Sequence, residues 1–302
     1  MPTSNLYPDT LGPGDAVGEG DAFVLYEFLP QELADTVFER ITKEVRWNKM
    51  MHRGGEVPRL VAVEGHILQD GSYPIYRHPA DESPPLLPFS PTVERIRQHV
   101  ENVLREPVNH VLIQHYRSGA DYISEHSDKT VDVVRGSRIV NVSLGAQRVM
   151  TLRTKKDALA NPNGNTSDAR FRREEKRTVQ RIPLPHNSIF VMGLETNAKW
   201  MHSIRTDKRP ASEKTDAELY MHGERISLTF RAIGTFITSD ENLIFGQGAK
   251  GKTREEARPV VRGGEEAEKL LAAFGAENHQ SEFDWEANYG AGFDVLHFRP
   301  NQ

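Results

Sequence analysis

A chain of 302 residues, 37% hydrophobic and 27% charged, is long enough for one large core or two modest ones. It has no cysteine, which excludes disulfides and thiolate metal sites and leaves any transition metal to His, Asp or Glu, a donor set suited to Fe(II), Mn(II) or Zn(II). The net charge of -5 resides in Thr238–Gln302, with 7 Lys/Arg against 12 Asp/Glu, so nothing resembles the strongly basic balance of a nucleic-acid binder.

Residues 1–20 are rich in Pro and Gly and read as a flexible N-terminal arm. Asp21–Leu29 (DAFVLYEFL) reads as a strand. Pro30 then opens a helix with Leu33, Val37, Ile41 and Val45 spaced by four. Ser90-Pro91 forms an N-cap and first-turn pair for a second helix, striped by Val93, Ile96, Val100, Val103 and Leu104. From His110 the texture changes to short strands: VLIQHY, RIVNVSLG, QRVMTLR, NSIFVMG and RISLTFRAI. Within this run, residues 152–181 carry nine Lys/Arg and four Asp/Glu around ANPNGNTSD and read as a basic, solvated insert. The acidic extension 239–302 has a helix near Glu265–Phe274 and an aromatic finish that is too apolar to float free. No apolar run is long enough to span a membrane and no basic-then-apolar signal follows Met1, so a cytoplasmic or nuclear location is expected. Helices followed by strands give an α+β class, with two N-terminal helices covering an antiparallel sandwich or jelly roll.

The chemistry lies in the strand region. His126 and Asp128 stand two apart, so on an extended segment they point to one side. His202, in KWMHSI, offers a third ligand. Two His and one carboxylate on one face leave the opposite side of an octahedral metal open. Arg225 and Arg231 are an even six residues apart on one strand and share a face, where an anion such as a dicarboxylate would partner them. Gln114 and Tyr116 share a face just upstream and can donate hydrogen bonds to such a carboxylate.

In this order the motifs resemble those of the AlkB-like Fe(II)/2-oxoglutarate-dependent dioxygenases. Gln114-His115-Tyr116-Arg117-Ser118-Gly119-Ala120-Asp121 is similar to that family's Asn-x-Tyr-x-x-Gly-x-Asp element, with Gln in place of Asn, and Ile123–Asp128 to its Ile-x-x-His-x-Asp. Val142–Arg148 resembles its Ser-(Leu/Phe)-Gly-Ala-x-Arg strand, and Trp200–Ile204 and Arg225–Arg231 its last two motifs. Val57-Pro58-Arg59 resembles the Val-Pro-Arg element of the substrate lid. The likeness covers 21–238 and implies a double-stranded β-helix (jelly roll) core. It implies Fe(II) on His126, Asp128 and His202, with O2 and 2-oxoglutarate as cosubstrates. It places Arg225, assisted by Tyr116, on the distal carboxylate, Arg231 near the carboxylate beside the keto group, and Gln114 close by. The reaction implied is oxidation of a C–H bond with release of succinate and CO2.

For the substrate, Arg59, Lys129 and Thr130 are the expected contacts. Duplex-repair members of the family keep acidic residues where Lys129 and Thr130 stand, and a Lys would repel a cationic methylated base. With the net acidity, this favours a small molecule such as an amino acid or specialised metabolite, to be hydroxylated, desaturated or cyclised. The alternative is oxidative demethylation of alkylated DNA or RNA bases. A non-catalytic binding protein on the same fold is a third class. No oligomeric state is indicated.

Overall fold

The strand-rich region folds into two facing antiparallel sheets, seen in a computed structural model that describes residues 10–52, 55–79, 84–157 and 177–298. The wide sheet has seven strands in the order Phe23–Tyr26, Ser188–Met192, Ile139–Gly145, Arg225–Arg231, His110–Tyr116, Leu60–Gly65 and Leu86–Pro88. Only its last pair is parallel. The narrow sheet has four, in the order Val179–Leu184, Arg148–Thr154, Trp200–Ile204 and Ile123–His126.

The two-residue period of a strand sorts the side chains of the wide sheet. One set, including Val111, Ile113, Val140, Val142, Ile226, Leu228 and Phe230, faces outward. The helices Gln31–Glu44 and Pro91–Leu104 cover it with Leu33, Val37, Ile41, Val93, Ile96 and Val100. Each such buried aliphatic side chain contributes about 1.5–3 kcal/mol. The alternate set, Gln114, Tyr116, Asn141, Arg225, Ser227, Thr229 and Arg231, faces the narrow sheet and carries nearly all the polar groups.

The first strand is shorter than Asp21–Leu29 because Glu27 takes a positive φ of 55°. Asn187 then holds both backbone groups of Leu29 and turns the chain into the first helix. Ser90 holds the N-cap position of the second helix with Pro91 in its first turn, but its side chain makes no capping bond; its N–H and hydroxyl both donate to the buried carboxylate of Glu64. The arm expected to be loose is held from Thr10 onward: Leu11 donates to the Arg181 carbonyl and Val17 is fully buried. Most of the basic insert, residues 158–176, lies outside the described residues.

The C-terminal extension lies against this core. Leu243–Gly246 and Arg258–Pro259 extend a small sheet begun by Thr235–Ile237 and Tyr73–Pro74. The tail helix runs over Gly264–His279, beyond the stretch read from sequence, and packs Ala267, Leu270 and Phe274 with Tyr289, Val295 and Val131. Arg77 clamps the extension down. Its guanidinium pairs with Asp132 at 2.6 Å and donates to the carbonyls of Gly248, Phe293 and Val295. No described helix is long and apolar enough to cross a membrane.

Candidate metal and cosubstrate site

The narrow sheet brings two histidines together by register: His126 and His202 are cross-strand partners on neighbouring strands. Their ring centroids are 4.3 Å apart. Asp128, just past the end of Ile123–His126, turns Oδ1 toward both, 3.8 Å from His126 Nε2 and 3.7 Å from His202 Nε2. Among the described residues this is the one cluster of three such groups within metal-binding distance.

Two of the three candidate ligands, His126 and Asp128, are oriented by a neighbour, whereas His202 Nδ1 is buried without a hydrogen-bond partner. His126 Nδ1 lies 2.8 Å from the Ser124 carbonyl. A carbonyl only accepts, so Nδ1 carries the proton and the Nε2 lone pair is left free. Burial holds both imidazoles neutral, with His126 pushed down to about 3. The Arg231 guanidinium binds Asp128 Oδ2 at 2.6 and 3.0 Å. Despite burial, that pairing and the two histidines keep the Asp128 carboxyl well below the usual carboxylate range. Asp128 is thus an anion with one oxygen pinned and one offered.

A third support comes from the short helix Leu194–Lys199. Asp21 accepts at its start from Glu195 N, Thr196 N and the Thr196 hydroxyl. The helix thereby presents Asn197, which accepts from Asp128 N at 2.8 Å and donates to its carbonyl at 3.0 Å. Nothing in the sequence marked Asn197. Asn197→Ala is expected to weaken Fe(II) affinity about 10–100-fold, measured anaerobically, since groups behind a ligand typically matter to that degree.

Arg225 is fully buried beneath the cleft. It donates to Ser143 Oγ at 2.7 Å and Asn141 Oδ1 at 3.2 Å and lies over the Tyr116 ring, 5.2 Å from its centroid. Among the described residues no carboxylate pairs with it, and burial pushes its guanidinium down to about 10. Its Nη1, and Nη1 of Arg231, are buried without a partner. The Tyr116 hydroxyl donates to Gln114 Oε1. Tyr76, also not singled out from sequence, sits 4.0 Å from the Arg231 guanidinium, and its hydroxyl oxygen accepts from Lys129 N. Unpaired cationic donors beside an N,N,O ligand set suit a divalent metal with a dicarboxylate. Fe(II) and 2-oxoglutarate fit the residues present.

These groups open on one cleft of about 930 Å³ between the sheets. Arg59 reaches its rim, with Nη1 donating to the Tyr122 carbonyl at 2.9 Å. Lys129 lines the cleft, but its ammonium is buried and donates to the Ser127 carbonyl and to Asn278 Oδ1. Glu277 nearby supplies a countercharge. The expectation that Lys129 repels a cationic base therefore needs correcting: the charge is spent on its own chain. Thr130 is turned away too, its N–H and hydroxyl both donating to Glu277.

Comparisons with known proteins agree with this geometry. A model of the 2OG-Fe(II) oxygenase superfamily matches residues 21–231. The DNA oxidative demethylase ALKBH2 of Homo sapiens is 33% identical over 208 residues, spanning 66% of this chain and 69% of that protein. The protein of the same name from Arabidopsis thaliana is 28% identical over 232 residues, 72% of this chain and 68% of its own. The alpha-ketoglutarate-dependent dioxygenase alkB homolog 3 of Bos taurus is 26% identical over 210 residues, spanning 68% of this chain and 64% of that protein.

Proposed function

The chain belongs to the AlkB-like members of the 2OG-Fe(II) oxygenase superfamily, and from that premise we propose that it oxidatively demethylates alkylated bases in DNA. It is a non-haem iron enzyme that uses 2-oxoglutarate and O2. The observation that carries the substrate is the likeness to ALKBH2, over two thirds of that protein's length, around an intact His-Asp-His cluster. This corrects the small-molecule expectation and the partner that went with it. Relatives named DNA oxidative demethylases overturn it, and the buried, engaged Lys129 removes its physical ground.

We read the two facing sheets as a double-stranded β-helix over 21–238, with 239–302 packed on it as an extension. Within it, His126, Asp128 and His202 would hold Fe(II). The unpartnered Nη1 of Arg225, steadied by Asn141, Ser143 and Tyr116, would take the distal carboxylate of 2-oxoglutarate. Arg231 fixes Asp128 and keeps one N–H for the carboxylate beside the keto group. Gln114 fixes the Tyr116 hydroxyl. Bound there, Fe(II) with 2-oxoglutarate and O2 supplies the oxidant for a C–H bond, and succinate and CO2 leave. With an N-methyl group as target, one oxygen atom enters the C–H bond, the N–C bond then breaks, formaldehyde leaves and the ring nitrogen keeps the electron pair.

The test is conversion of DNA oligonucleotides carrying one N-methylated base, followed by mass spectrometry. Loss of the methyl group that depends on both 2-oxoglutarate and O2 is expected. An unchanged oligonucleotide beside a metabolite oxidised in the same assay would contradict the proposal.

A further inference from the structure

The tail helix Gly264–His279 lies wholly outside the family match at 21–231, yet it forms part of the catalytic cleft. Leu271, Gly275 and Asn278 line the cleft. Their spacings of four and three place them on one stripe of the helix. The inner face, with Ala267, Leu270, Phe274 and Glu277, packs on the core.

The stripe is tied to the metal site at its C-terminal end. Asn278 Oδ1 accepts from Ser127 N at 3.0 Å and from the Lys129 ammonium at 3.1 Å, the residues on either side of Asp128. Glu277 holds Thr130 and Tyr289, and its carbonyl accepts from the buried Lys155 ammonium at 2.6 Å. The wall is therefore rigidly placed relative to the ligands.

Gly275 is the anomaly in this stripe. Glycine in a helix interior is less favourable than any residue but proline. The backbone there is ordinary helix, and a Cβ added at Gly275 would meet nothing within 4 Å. No contact inside the chain requires a glycine. The space it leaves opens on the cleft, between exposed Leu271 and Asn278.

We infer that this stripe is the wall against which the substrate strand packs, with Gly275 admitting a close approach of the strand beside the target base and Leu271 giving it an apolar surface. Both are then specificity-determining residues contributed by the extension. The inference rests on the demethylase reading above.

The test compares the wild type with Gly275→Leu and with Ala272→Leu, a control at an exposed helix position outside the cleft. KM and kcat are measured on a methylated oligonucleotide, alongside the melting temperature. Gly275→Leu is expected to raise KM about tenfold, with kcat within about twofold, because the added side chain fills space the strand needs. Its melting temperature should rise by about 2 °C, since leucine is the better helix former. Ala272→Leu should leave KM unchanged. An unchanged KM in Gly275→Leu, or a fall in melting temperature with an equal loss of kcat, overturns the wall while leaving the demethylase reading intact. A wild type that demethylates no strand overturns that reading and the wall with it.

Discussion

Asp128→Asn is expected to lower turnover at least about a thousandfold while the protein stays folded. The substitution keeps the shape of the side chain and a carbonyl oxygen for Arg231, but removes the charge that a divalent ion needs between two neutral imidazoles. The lost charge assistance on the Arg231 contact costs about 1–2 kcal/mol, which a chain of this size tolerates. Asp128→Ala is the harsher change. It leaves the Arg231 guanidinium buried against the Tyr76 ring without its carboxylate, and breaking such a pair costs about 3–5 kcal/mol. Iron titration and urea denaturation of both variants separate the two effects. Full activity in Asp128→Asn would remove Asp128 from the ligand set.

The second large effect is on stability. Arg77→Met is expected to destabilise the protein by about 3–5 kcal/mol, read as a lower urea midpoint. Arg77 and Asp132 are both essentially inaccessible, and the guanidinium also satisfies three carbonyls of the extension. Removing it strands a buried carboxylate and frees the segment that carries the tail helix. The double variant Arg77→Met with Asp132→Leu should recover much of the loss, because the uncompensated charge is then gone. A single variant with an unchanged midpoint would mean that the clamp contributes nothing net.

Much of the site was legible because its signals are local. Period two on 225–231 put Arg225 and Arg231 on one face, and the structure has both under the cleft. The spacing of His126 and Asp128 brought them to one point, and the strand partner of His126 turned out to be His202. The reading departed only at element ends, where Glu27 turns the first strand, Asn187 holds Leu29 and the Ser90 side chain answers to Glu64.

What stayed hidden depends on pairs far apart in the chain. Asn278 lies far along the chain from Ser127 and Lys129, which it holds on either side of Asp128, and no periodicity announces such a contact. Lys129 looked substrate-facing because its partners could not be seen. Net acidity misled for the same reason. Glu277 is buried beside Lys129 and Glu286 pairs with Arg135, both cations outside the tail, so part of the tail's net negative charge is answered by the rest of the chain. Formal charge records none of these pairings.

The most direct measurement is the yield of succinate and formaldehyde from purified enzyme, Fe(II), 2-oxoglutarate and O2 on DNA bearing an N-methylated base. The structure and its relatives predict the two products in a one-to-one ratio, both lost in His126→Ala. Succinate that rises with a metabolite but not with methylated DNA, and no formaldehyde from the DNA, would contradict the account.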